Sequence, residues 1–149
     1  MRLHIVTALA FMLLLAGCDA TEDDSEARRF DSAWQIVEVE SQNVDYTSFV
    51  LGRYTSAVIA FNSKEDEFTI LLDVADSPDD IIIRGEFRVD ADDSELTLFS
   101  DSFGAFDFDY IFENENRVIL FTEDDDPILQ DLFEVALDLE EVILVLDRD

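Results

Sequence analysis

The chain has 149 residues, 37 of them acidic against nine basic, for a formal net charge of −28, yet 48% of its residues are hydrophobic. That pairing excludes intrinsic disorder, which combines high charge with low hydrophobicity. It also counts against nucleic acid as a partner, because no basic patch is present to displace counterions from phosphates.

Taken in chain order, Arg2 opens a short basic start, Ile5 to Leu15 is apolar, and small residues lead to Cys18, the single cysteine. Leu15-Ala16-Gly17-Cys18 resembles the lipobox of bacterial lipoproteins. The resemblance implies a signal peptide over 1–17, cleavage before Cys18, and transfer of a diacylglyceryl group to its thiol. It implies a bacterial cell-envelope protein whose lipidated N-terminus is held in a membrane. The competing reading is an uncleaved anchor or a buried helix, but the run from Leu3 to Gly17 is shorter than the roughly 18 to 20 residues that span a bilayer. Asp19 directly after the cysteine resembles the inner-membrane retention signal of enteric bacteria, and which membrane holds the anchor stays open.

Cleavage would leave roughly 130 residues, enough for one domain with its own core. It would discard His4, the single histidine, and lipidation would consume the single thiol. Cys–His nucleophiles, histidine general bases and Cys/His metal sites are then excluded, and neither an enzyme nor a cofactor is expected. Residues 18–29 hold the lipidated cysteine and then no large apolar side chain, so they read as an acidic, flexible tether ahead of a domain over 30–149.

From Ala33 onward the pattern is period-two alternation broken by polar turns, which predicts half-buried strands. Ala33–Glu40 opens the series and Ala57–Phe61 follows. Next, Phe68, Ile70, Leu72 and Val74 share one face; Ile81, Ile83, Gly85, Phe87 and Val89 share another. Glu95–Phe99 is shorter. Phe106, Phe108, Tyr110 and Phe112 alternate with Asp107, Asp109, Ile111 and Glu113, and Arg117–Phe121 and Val142–Asp147 close the set.

Two segments interrupt the alternation. Asn43–Tyr54 reads as a short helix with Asp45 as N-cap and Gly52 as the C′ residue. Pro127–Glu140 reads as one helical turn and then a strand, although a longer helix fits as well. Breaks at Asn62–Asp66, Ala75–Asp80, Asp90–Ser94 and Asn114–Asn116 are too short for parallel crossovers, which favours an antiparallel up-and-down meander. Closure removes exposed edges, so the economical all-β architecture is a small barrel of about eight strands with one or two short helices. An open sheet or a sandwich is the alternative.

Ser32-Ala33-Trp34-Gln35-Ile36-Val37-Glu38-Val39 puts a tryptophan near the start of the first strand of a meander. Arg84-Gly85-Glu86-Phe87-Arg88-Val89-Asp90 runs through an acidic turn into Glu95-Leu96-Thr97-Leu98. Both resemble the lipocalin-like domains of bacterial envelope lipoproteins, over nearly all of 32–147; lipocalins proper carry a glycine where Ser32 stands. The resemblance implies that Trp34 plugs one end of the barrel beneath a late arginine, Arg148 by position or else Arg117.

An eight-stranded barrel either fills its interior with side chains or holds one small ligand. Trp34, Phe68, Phe87, Phe106, Phe108, Tyr110 and Phe112 are the candidate ligand-binding residues, and an apolar lining suits a small hydrophobic molecule. The alternative is a filled barrel acting as an envelope interaction module for a protein partner. Glu38 is the acid that parity places beside Trp34 and Ile36, but Val37 and Val39 alternate equally well, which leaves its facing undecided. The surplus of acid reads either as a halophile's solvated surface, where molar salt cuts the Debye length to about 3 Å, or as a cation-collecting one. Asp79-Asp80, Asp92-Asp93 and Asp124-Asp125-Asp126 lack the alternating acids and glycine of an EF-hand loop.

Overall fold

The computed structural model describes residues 21–122, 128–134, 139 and 141–149. The signal-peptide segment, Cys18 and Asp124-Asp125-Asp126 lie outside those residues.

The alternating segments form β1 (Ser32–Ser41), β2 (Val44–Asp45), β3 (Tyr54–Asn62), β4 (Glu67–Val74), β5 (Ile81–Asp90), β6 (Glu95–Ser100), β7 (Gly104–Asn114), β8 (Arg117–Phe121) and β9 (Val142–Asp147). Among the described residues three helices accompany them: α1 (Glu22–Phe30), α2 (Thr47–Leu51) and α3 (Ile128–Phe133). Short β2 pairs with the end of β1; the other strands neighbour one another in sequence order, and β9 returns to pair with β1. The meander is therefore a closed, eight-stranded antiparallel barrel. Among the described residues, closure leaves no unpaired strand along the wall to template association.

The turns show why so acidic and polar a set of linkers makes tight hairpins. Gln42 and Asn43 adopt φ of 50° and 63°, the two left-handed residues of a type I′ turn joining β1 to β2. Asp66 and Ser94, at φ of 54° and 58°, close the β3–β4 and β5–β6 hairpins. Short polar side chains tolerate that conformation best after glycine.

The N-terminal boundary needs correction. Residues 22–29, expected within the flexible tether, form helix α1 together with Phe30, packed against β5 and β3. Thr21 and Asp24 form a reciprocal capping box, each accepting from the other's backbone N–H at 3.2 Å. Glu22, Asp23 and Asp24 sit at the positive end of the helix dipole and Arg28 and Arg29 at the negative end. Lack of large apolar side chains within 19–29 pointed to a tether, but the helix is held by Phe30 at its end, completely buried, with Ala27 packed against the core.

Helix α2 forms where a helix was expected. Tyr46, not Asp45, is its N-cap, but Asp45 still accepts the Thr47 N–H at 2.8 Å. Gly52 is right-handed at φ −64°, so the helix does not end on a left-handed C′ glycine. Within 127–140, α3 supplies the expected helical turn and the expected strand falls on residues outside the described ones apart from Leu139, which is not in a strand.

Strand direction sorts the connections into two ends. The base carries α1, the start of β1, the β3–β4, β5–β6 and β7–β8 hairpins and the end of β9. The far end carries β2, α2, the 75–80 and 101–103 loops and α3.

Candidate functional site

The inward faces follow the parity of the sequence. Trp34, Phe68, Phe87, Phe106, Phe108 and Tyr110 are each no more than 5% exposed, alongside aliphatic Ile36, Ile70, Leu72, Leu96, Leu98, Val118 and Leu120. Phe112 differs: it is half-buried at the base, with the Arg29 guanidinium 3.8 Å over its ring.

These residues gather in two groups. At the base, Phe30 meets Phe61, Tyr110 and Phe112 at ring separations of 5.3, 5.1 and 4.9 Å, Phe61 meets Phe87 at 5.0 Å, and Trp34 meets Phe112 at 6.1 Å. Higher on one wall, Phe103 stacks between Phe68 and Phe106 at 6.3 and 4.6 Å. Sequence reading missed Phe30, Phe61 and Phe103 as members of this lining. Phe61 was legible as a strand end, whereas Phe103 lies in a loop and carries no periodic signal.

The tryptophan plug is present. The Trp34 indole donates to the Phe30 carbonyl at 2.7 Å, and the Arg148 guanidinium lies 4.4 Å over its ring while donating to the carbonyls of Arg29 and Asp31 at 3.1 and 3.3 Å. Of the two arginines in question, position selected the right one. Arg117 instead sits on the outer wall, paired with Glu113 at 2.8 Å, Asp147 at 2.9 Å and Glu38 at 3.5 Å. Although partial burial opposes its charge, Asp147 and Glu113 hold that guanidinium above its ordinary range.

A β-bulge resolves Glu38. The β1–β9 register shifts between Ile36 and Glu38, so Trp34 and Ile36 face inward, and after the bulge Val39 and Ser41 do. Glu38 turns outward, its side chain 38% exposed. Local burial, then the hydrogen bond and charge of Glu40, raise its carboxyl above the usual range while Arg117 lowers it.

Among the described residues, the buried polar side chains are Ser41, Ser100 and Thr122, and no Asp, Glu, Lys or Arg is buried. The inward-reaching phenols are Tyr54, which donates to the Phe133 carbonyl at 2.6 Å, and Tyr110. Burial raises both phenols above their ordinary range, for Tyr110 with help from the charge of Glu26. Such an interior excludes water, and among the described residues it holds no buried carboxylate, ammonium or guanidinium. Nor do three or more Asp, Glu, His or Cys side chains converge as metal ligands among the described residues.

Clefts on the outside have the opposite chemistry. One of about 370 Å³ between α1 and the β5–β6 hairpin is lined by Asp23, Asp24, Asp66, Glu86 and Asp90 with Arg88 and Phe99. Two more, of about 490 and 290 Å³, flank Gly85 on the β4–β6 wall. Gly85 faces inward without a side chain; a Cβ there would run into the Phe99 carbonyl oxygen and the Phe68 ring.

Comparison with known proteins gives structural likenesses alone. No family model matches the chain, and no curated protein matches its sequence. The bovine lipocalin allergen Bos d 2 is similar with a TM-score of 0.48 at 12% identity, over 83% of this chain and 75% of that one. An odorant-binding protein gives 0.46 at 12% identity, over 83% and 73% of the two chains. A deswapped triple mutant of bovine odorant-binding protein gives 0.44 at 10%, over 81% and 74%.

Proposed function

We propose that the chain is a lipocalin-like envelope lipoprotein, held in a membrane through Cys18, that binds a small hydrophobic ligand in or at its barrel without catalysing a reaction. The observation that carries the reading is the chemistry of the enclosed face: mostly aromatic and aliphatic, with no buried charged side chain among the described residues. A site of that kind favours a ligand by removing apolar surface from water, at about 25 cal/mol per Å². The test is to strip bound lipid from the purified protein and titrate it with an environment-sensitive apolar dye, following Trp34 as the single tryptophan. Saturable uptake, displaced by extracted envelope lipid, is the expected result. A protein that neither copurifies with lipid nor takes up dye is no carrier.

A second reading is favoured by the packed aromatic groups at the base and by the carboxylate-lined clefts outside. The barrel is then a scaffold whose acidic surface meets a cationic protein partner. Pull-down from envelope extracts at low and high salt separates the two, because a charge-driven contact weakens steeply as salt rises. The same surface suits a saline environment, in which its mutual repulsion is screened.

A further inference from the structure

We propose that the anchored barrel stands on the bilayer on its α1 end, with the α2 and α3 end turned to the aqueous side. This rests on the reading of Cys18 as the lipidated residue and adds to it an orientation, set by how little chain separates the anchor from a helix that is fixed to the barrel.

Helix α1 is fastened to the base at four points. Phe30 is completely buried among Phe61, Tyr110 and Phe112. Asp23 accepts the Ala91 N–H of the β5–β6 hairpin at 2.9 Å. The Arg29 guanidinium lies over Phe112, and Arg148 reaches from beyond β9 to the Arg29 carbonyl. Asp31, directly after the helix, accepts the N–H and hydroxyl of Ser63 in the β3–β4 hairpin at 2.6 and 2.7 Å. Thr21 caps the helix and is thus part of the folded body.

Between Cys18 and Thr21 stand Asp19 and Ala20 alone. Three Cα steps of at most about 3.8 Å each give a reach of about 11 Å. The barrel is taller than that: strands of this length, rising about 3.3 Å per residue and tilted by about 40°, span roughly 25 Å from base to far end. A lipid on Cys18 therefore holds the base at the headgroups, while the far end cannot reach them unless the barrel turns over on its own tether. The bilayer-facing end is the one sealed by Phe30, Trp34 and Arg148.

The experiment uses the full chain, expressed with its lipid and reconstituted in phosphatidylcholine vesicles. Acylation consumes the single cysteine, so one introduced thiol is a unique label position. Lys64→Cys places a fluorophore on the exposed β3–β4 hairpin at the base, and Phe49→Cys replaces a side chain 65% exposed on α2 at the far end. A headgroup-attached quencher of short range is expected to quench the Lys64→Cys label several-fold more than the Phe49→Cys label. Inserting ten Gly/Ser residues between Ala20 and Thr21 adds roughly 17 Å of flexible span and is expected to erase the difference. Equal or inverted quenching in the uninserted protein, or a difference that survives the insertion, overturns the orientation. Intact mass is measured first: a Cys18 without its diacylglyceryl group overturns the anchoring reading itself, a failure distinct from that of the orientation.

Discussion

Phe30→Ala is the sharpest test of whether α1 belongs to the barrel. Phe30 is completely buried, and three aromatic rings lie within 5.3 Å of its own, centroid to centroid. Truncating a buried phenylalanine removes its transfer free energy and leaves a cavity, together about 3–5 kcal/mol. A helix of this length has little stability alone, so α1 is expected to fray from the base once its anchor is gone. For a domain of this size that loss lowers the thermal midpoint by about 10–20 °C. The assay is urea unfolding of the full chain in about 1 M NaCl, where charge repulsion is screened, read by Trp34 fluorescence and paired with hydrogen exchange of the α1 amides. A loss below about 1 kcal/mol with α1 amides still protected would refute the plug; an α1 that exchanges freely in the unmutated protein would restore the tether.

Other expectations follow from the same geometry. Arg148→Ala removes the charge over Trp34 and two donated hydrogen bonds, which should cost about 1–2 kcal/mol and shift Trp34 emission to the red. Arg148→Lys should recover little of it, since an ammonium lacks the planar fork; full recovery would show that the point charge suffices. Gly85→Ala should destabilise by about 1–3 kcal/mol through overpacking. Adding Phe68→Leu should not rescue it, because the Phe99 backbone oxygen is the nearer obstacle; rescue in the urea titration would place the conflict in the Phe68 ring instead. The Asp45 carboxyl is held below the usual range by hydrogen bonds from the Thr47 hydroxyl and amide. A lowered folded pKa stabilises above the unfolded value, about 3.9, and the contribution is lost as pH falls through the folded one. The Thr47 amide resonance should titrate below pH ~4 and should lose that step in Asp45→Asn, which keeps an acceptor but no charge.

The wall of the barrel was legible because β-structure writes itself into sequence at the scale of single residues. Phe106, Phe108 and Tyr110 alternate with Asp107 and Asp109, and a pleated strand has no other way to place them. Helix α1 was missed for a reason of scale. Its capping box, Thr21 to Asp24, was present in the sequence, but a helix with almost no apolar face is held by one side chain at its end and by partners such as Ala91 that lie far along the chain. Glu38 was undecidable for a related reason: one extra residue in β1 reverses the facing of everything after it, and a bulge leaves no mark in the alternation.

The sequence alone determined most of the strands, the parity of faces outside the bulged β1, the tight hairpins and thus the up-and-down order. All of these depend on neighbours a few residues apart. Only the tertiary structure decided that β9 closes onto β1, that α1 seals the base with Phe30, and that Arg148, not Arg117, covers Trp34. Those contacts join residues up to more than a hundred positions apart, where hydrophobic burial is non-directional and many pairings suit the same pattern. Geometry selects among them only when the whole sheet has curled.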